Sequence, residues 1–185
     1  MGKLIYSPHA SLDGYTVDAT GNFDFTAPDE EVHAFINDLL QPVGTFLFGR
    51  KMYETMSVWE TWDTVAEPRV VKDFATFWHR TNKVVYSHGL HTVGTRLTRI
   101  EREFVPNEVR ALKESSAENL EVGGAHRASE AFRAGLVDEL HMFFSPVIVG
   151  GGTRALPDDL RLSLSLLNER HFASGVVYLH YTVNN

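Results

Sequence analysis

Cysteine is absent from the 185 residues, which excludes disulfides, thiolate metal sites and cysteine nucleophiles and suits a reducing compartment. No run of about 18 apolar residues occurs that could span a bilayer. The opening segment MGKLIYSPHASLDGY has no apolar stretch of the kind a secretory signal carries. The expected location is therefore cytoplasmic, with no membrane partner. Positive charge is scarce: 17 Lys and Arg stand against 24 Asp and Glu, a net charge of −7. That balance argues against a protein that tracks nucleic-acid phosphates. Repeats, low-complexity tracts and linkers are missing too. The longest turn-rich stretch, Asp13 to Pro28, is too short to separate domains, so residues 1–185 read as a single domain with room for a substantial core. A hydrophobic fraction of 43% and a charged fraction of 22% place the chain among globular proteins rather than disordered ones.

What is present is an alternation of strand and helix patterns. KLIYSPH (3–9) reads as a strand. TAPDEEVHAFINDLL reads as a helix with Pro28 at its first position, Thr26 or Ala27 at the cap, and Asp29, Glu30 and Glu31 at the positive end of the helix dipole. Val32, Phe35, Ile36, Leu39 and Leu40 give that helix one apolar stripe. TFLFG (45–49) is apolar on both faces, as a central strand covered by helices must be. RKMYETM, the segment around Val70–Trp78, and the segment opened by Pro106 predict further helices; KVVYS (83–87) and LEV (120–122) predict strands. A helix after Gly123 and Gly124 is expected to end at Gly135 as its C-cap. Beyond it, VDELHMFFSPVIVGGG and VVYLHYTV read as long strands, and LSLSLLNERHF alternates at period two. β/α units first and adjacent strands last predict a three-layer α/β fold: a mainly parallel central sheet, helices on both faces, and antiparallel strands at one edge.

Three strand-to-helix junctions are the candidate site: Gly49 before Arg50 and Lys51, Ser87 and His88, and Gly123–Gly124 before Ala125. Open α/β sheets bind ligands outside the carboxyl ends of their strands. A glycine pair at such an end is a tight turn, or it lets a pyrophosphate lie on free amides at a positive helix end. Cations that open a helix oppose its dipole, which favours an anion beside Arg50 and Lys51. The familiar signatures are lacking: there is no G-x-G-x-x-G, no G-x-S-x-G and no H-E-x-x-H. GTFLFGRKM (44–52) resembles a phosphate loop but has Arg50 and Met52 in place of its Lys and Ser/Thr, and its interior is an apolar strand. No metal site is expected. HGLH (88–91) is the only close histidine pair and lacks a carboxylate at ligand spacing, while His141 and His180 lie in the late strands.

SLDGY (11–15), FGRKMYE (48–54), GGAHRASEAF (123–132) and AGLVDELHMFFSPVIVGGGTRAL (134–156) together resemble the dihydrofolate reductase-like superfamily, and within it the branch containing the reductase domain of bifunctional riboflavin-biosynthesis proteins. The resemblance implies a sheet of about eight strands with NADPH extended across the strand ends. It implies that Gly123, Gly124 and Ala125 meet the pyrophosphate with His126 close by, that Gly49, Arg50 and Lys51 line the adenosine side, and that Ser87 and His88 complete a 2′-phosphate pocket favouring NADPH over NADH. On the substrate side it implies a pocket lined by Asp13 and GNFDFTAPD (21–29), with Phe25 stacking on a flat heterocycle, Thr26 beside it, Asp29 accepting from an amino-pyrimidinone edge, and Glu121 as a further polar contact. Read for themselves, Asp13 also suits a turn with Gly14, Asp29 a helix start, and Glu121 a solvent-facing strand position.

The expected function is NADPH-dependent hydride transfer to a small pterin-like or ribosylaminopyrimidine-like substrate, with Asp13 and Asp29 as the candidate catalytic residues orienting it. No deaminase segment is attached, so the complete bifunctional enzyme is not expected. His33 stands near where dihydrofolate reductase carries an acidic helix residue, which argues against genuine dihydrofolate activity. A nucleotide-binding protein of the same fold that performs no turnover is the alternative. A homodimer is expected because an apolar strand such as MFFSPVIV must be buried by something.

Overall fold

In the computed structural model, which describes residues 1–184, the first predicted strand is broken in two. β1 (Leu4–Tyr6) ends before Ser7–Pro8 and β2 (His9–Ser11) resumes beyond it, because proline cannot donate to the ladder. β3 (Tyr15–Asp18) and a 3₁₀ turn (Asp24–Thr26) fill the long loop. Helix α1 (Glu30–Leu40) then starts later than its sequence suggests. Its cap is neither Thr26 nor Ala27 but Asp29, whose Oδ1 accepts from the Val32 amide at 2.8 Å while Pro28 stays outside. The carboxylate outcompetes the earlier positions because it both accepts that bond and faces the dipole.

The remainder follows in order: β4 (Val43–Gly49), α2 (Arg50–Met56), α3 (Arg69–Arg80), β5 (Asn82–Tyr86), β6 (Thr98–Glu101), α4 (Pro106–Ser115), β7 (Asn119–Gly123), α5 (Ala125–Arg133), β8 (Glu139–Ser145), β9 (Gly152–Arg154), β10 (Ser163–His171) and β11 (Val177–Asn184). α5 closes as expected, with Gly135 just past its end at φ 62°. β6 is short and half-exposed, so it carries no apolar run by which sequence could announce it. β8 stops at Ser145 rather than running to the glycines, since Pro146 ends it.

The strands order as β10-β11-β8-β1-β7-β4-β5-β6, with β2 also pairing β8. From β8 through β6 the neighbours are parallel, and β10 and β11 add antiparallel at the edge. This is the predicted α/β fold. α4 and α5 pack Val109, Ala128, Ala131 and Phe132 on one face against Leu4, Leu47, Leu120 and Val122. The opposite face holds α1, α2 and α3 through Leu40, Tyr53, Phe74, Phe77 and Trp78 against Ile5, Phe46, Phe48 and Val85. Within the MFFSPVIV segment the chain itself buries Met142 and Phe143, at most 3% exposed, while Ile148 beyond Pro146 is 71% exposed. Exposed apolar side chains also cluster on β10, at Leu164, Leu166 and Leu167. Among the described residues no helix is long and apolar enough to cross a membrane.

Candidate active site

β4 and β7 are neighbours with Phe48 opposite Gly123, so Gly49 and Gly124 stand side by side where α2 and α5 begin. Neither helix start is capped by a side chain, and the first-turn amides of a helix have no partner within it. The two glycines at 123 and 124 have separate reasons to be there. A Cβ on Gly123 would lie 2.4 Å from the Phe48 ring, and Gly124 has φ 89°, backbone that L side chains rarely adopt. Each is therefore required by the fold itself. The positive φ at Gly124 makes the turn, and the α5 start that follows it has no side-chain cap.

The positive charge around this rim comes from several elements. Arg50 and Lys51 are exposed on α2, with Arg50 Nε donating to Glu54 at 2.7 Å. His126 is exposed on α5 beside Ala125. Arg127, which the sequence reading left unassigned, is the most enclosed of the group. Its side chain lies against Gly49, its guanidinium is 5.8 Å from the Tyr86 ring, it pairs with Glu130, and its buried Nε has no hydrogen-bond partner. A cation inside the first turn of an uncapped helix was a signal available in GGAHR. The Ser87 hydroxyl is buried and accepts from the Leu90 amide at 3.1 Å, building the turn, while His88 is exposed. Arg102 Nη1 donates to the carbonyls of Ser87, His88 and Leu90 and holds that turn in place. Two open helix starts with three cationic side chains, Arg50, Lys51 and Arg127, and the His126 imidazole form a donor set that could hold the phosphates of a dinucleotide.

The acidic residues assigned from the sequence are engaged in building the loops. Asp13 accepts from the Gly150 amide at 2.7 Å and from Val149 at 3.2 Å, latching the segment after β8. Hydrogen bonds from Ser11 and then from those amides hold its carboxyl below the usual carboxylate range, so it is a poor proton donor. Asp29 is exposed and caps α1. Thr26 Oγ1 donates to the Phe23 carbonyl, and Phe25 is half-buried in the same 3₁₀ turn. Beneath this turn His9 bonds the Thr26 backbone and stacks on Phe143 at 4.5 Å; burial lowers its pKa to about 4, so it is neutral. His33, from α1, faces His9 and is lowered in the same direction by burial.

Glu121 is not solvent-facing. It is 8% exposed, in the centre of the sheet between Ile5 and Phe46. Burial pushes its carboxyl up to about 8, an effect the nearby Ser7 hydroxyl opposes. Yet neither Ser7 Oγ nor Glu121 Oε2 has a hydrogen-bond partner among the described residues. Buried polar atoms are almost always paired. Glu121, two residues before the glycine turn, and Ser7, at the end of neighbouring β1, are near enough to interact with each other, yet each keeps bonding capacity that a polar ligand could use.

Two shallow hollows flank α5 and the 152–158 segment. One of about 260 Å³ joins Ala125, His126, Ser129 and Arg133 to Thr153 and Arg154; the other, about 190 Å³, lies between Gly14, Met142, Phe144 and Arg154. They bring the start of α5 and the loop held by Asp13 to the same rim.

Residues 2–178 match the family described as the RibD C-terminal domain. The chain belongs to that family. It is also 28% identical over 185 residues to the uncharacterized protein YyaP of Bacillus subtilis, covering 98% of this chain and 95% of YyaP. In structure it resembles a diaminohydroxyphosphoribosylaminopyrimidine deaminase/5-amino-6-(5-phosphoribosylamino)uracil reductase of Thermotoga maritima, with a TM-score of 0.66 at 17% identity, over 99% of this chain and 57% of that one. It resembles dihydrofolate reductase of Enterococcus faecalis, solved with NADP(H), with a TM-score of 0.59 at 14% identity over 100% and 98% of the two chains. The dihydrofolate reductase-like fold expected from the four sequence segments is thus the fold observed. In this RibD C-terminal domain the junctions at Gly49, Ser87 and Gly123 lie at the ends of adjacent strands, Glu121 is buried in the sheet two residues before Gly123, and Asp13 and Asp29 hold the loops after β8 and before α1.

Proposed function

We propose that this RibD C-terminal domain is an NADPH-dependent reductase of a small pterin-like or ribosylaminopyrimidine-like heterocycle, with 5-amino-6-(5-phosphoribosylamino)uracil the first substrate to test. The observation that carries the reading is Glu121: a carboxyl sealed in the sheet, protonated at neutral pH, with an oxygen that nothing in the described chain satisfies. Family membership and the Thermotoga and Enterococcus neighbours support the same class of reaction.

NADPH, when bound, supplies a hydride. Gly123, Gly124, Ala125, His126 and Arg127 would hold its pyrophosphate, and Gly49, Arg50, Lys51, Ser87 and His88 its adenosine end and 2′-phosphate. Reducing a C=N or C=O bond also requires a proton at the heteroatom. The neutral Glu121 carboxyl is the group able to hold that proton and orient the acceptor, with Ser7 beside it. Asp13 positions the loop after β8 against the rim. Asp29 fixes the start of α1, and Phe25 and Thr26 cover the substrate from the 3₁₀ turn. The homodimer expected from sequence stays part of the proposal, with the exposed strand β10 added to Ile148 as its surface.

Oxidation of NADPH by purified protein with the phosphoribosylaminouracil tests this directly. Turnover is expected, faster with NADPH than NADH, and reduced about 10²-fold or more in Glu121→Gln. Cofactor binding without turnover of any pterin or aminouracil would overturn the reductase reading in favour of a non-catalytic nucleotide-binding protein.

A further inference from the structure

β8 and β11 pair antiparallel with His141 directly opposite His180, and Glu139 stands two residues before His141. Side chains two apart on a strand share a face, as do directly opposed partners, so one carboxylate and two imidazoles meet on the face covered by α1. The rings stack with centroids 4.0 Å apart. His180 Nε2 lies 3.1 Å from Glu139 Oε2, and His141 Nε2 lies 3.5 Å from the same oxygen. The three donor atoms are all within 4.8 Å of one another. For metal–ligand bonds of about 2.0–2.1 Å, neighbouring donors in a tetrahedral site stand about 3.3 Å apart. The two nitrogen-to-oxygen separations bracket that value.

The surrounding contacts are those a ligand set needs. Tyr178 OH meets His141 Nδ1 at 2.7 Å, leaving Nε2 for coordination, and Lys3 Nζ donates to Glu139 Oε1 at 2.5 Å, leaving Oε2. Outer contacts of this kind fix ring orientation and orient coordinating carboxylates. His141 is buried, but the side chains of His180 and Glu139 keep 19% and 13% exposure, which gives an ion a path from solvent and a water for the remaining position. The cluster lies across β1 from Glu121, since Ile5 pairs with both Glu121 and Glu139. It is a separate set of donors.

We propose that Glu139, His141 and His180 bind a late first-row divalent cation, zinc first among them, clamping β11 to β8. Two imidazoles and a carboxylate, with no thiolate, are the donors such ions accept. The same atoms can also be held by hydrogen bonds alone, and titration separates the two. Chelator-treated full-length protein is titrated calorimetrically with zinc chloride, and in parallel with cobalt chloride read by visible absorption. One equivalent of zinc and a tetrahedral cobalt spectrum are expected. Both are lost in His180→Gln and Glu139→Gln, while Tyr178→Phe weakens binding about ten-fold or more. His91→Gln, an exposed histidine outside the cluster, leaves the isotherm unchanged. His180→Gln alters a partly exposed side chain, and a retained melting transition establishes that it is folded. A wild-type protein without a saturable equivalent, or a His180→Gln isotherm identical to wild type, overturns the proposal.

Discussion

Glu121→Gln separates a structural glutamate from a functional one by its effect on stability against pH. Folding raises the Glu121 carboxyl from the ordinary 4.5 to about 8, because burial penalises its charged form. Below pH 4.5 both folded and unfolded chains hold the proton and the group is neutral in its effect. As pH rises through 4.5 the unfolded chain loses its proton while the folded chain keeps it. Stability therefore falls with rising pH until about 8, where the folded group also ionises. At about 1.4 kcal/mol per pH unit the loss reaches about 5 kcal/mol across the window, and about 3 kcal/mol between pH 5 and pH 7. Glutamine cannot titrate, so the stability gap between Glu121→Gln and wild type is expected to move by about 3 kcal/mol in the variant's favour from pH 5 to pH 7. Any constant cost of burying the amide cancels in that difference, as does the titration of distant groups. Urea unfolding of both proteins at pH 5, 6, 7 and 8 measures it. A gap that does not change with pH would mean that Glu121 ionises normally, and the neutral acid proposed for the reaction would go with it. A variant both more stable at pH 7 and inactive is the expected outcome, the mark of a group retained for chemistry at the expense of the fold.

Gly123→Ala drives a methyl to within 2.4 Å of the buried Phe48 ring, and a loss of about 1–3 kcal/mol is expected by urea unfolding, partly recovered by adding Phe48→Leu; an unchanged stability would show that packing does not demand this glycine. Arg127→Ala is expected to weaken NADPH binding about ten-fold or more, the worth of a charge-assisted contact, whereas Arg50→Ala is expected to erase the preference for NADPH over NADH, both read by quenching of tryptophan fluorescence; equal effects on the two cofactors in Arg50→Ala would remove it from the 2′-phosphate pocket. Asp13→Asn gives up the charged acceptor for the Val149 and Gly150 amides, so faster limited proteolysis between 146 and 151 and a higher KM are expected, and an unchanged digestion pattern would count against the latch.

Much of the fold was legible in the residues because local chemistry and global position agree. The α1 stripe, the doubly apolar TFLFG, Pro106 at the start of α4 and Gly135 past the end of α5 each carry a periodicity or a backbone constraint that needs no distant partner. Where two local signals competed, sequence misled. Asp29 took the cap from Thr26 and Ala27, and Pro146 cut a strand whose apolar run continued past it. The half-exposed β6 had no pattern to read, since its place is set by pairing with β5.

The sequence by itself determined the α/β class, the three glycine or serine junctions and the family, because strand ends, helix starts and glycine conformations are local properties. Only the tertiary structure decided what those residues face. Glu121 was a strand residue of unknown side until Ile5 and Phe46 closed around it, and its altered acidity is a property of that burial. Arg127 became the enclosed cation of the rim only when β4 and β7 paired and brought Gly49 beside it. Glu139, His141 and His180 share no spacing that sequence could flag, since His141 and His180 are 39 positions apart and meet through strand register alone. Solvation and charge proximity depend on distances in space, and pairing strands sets those distances without leaving a mark on the order of residues along the chain.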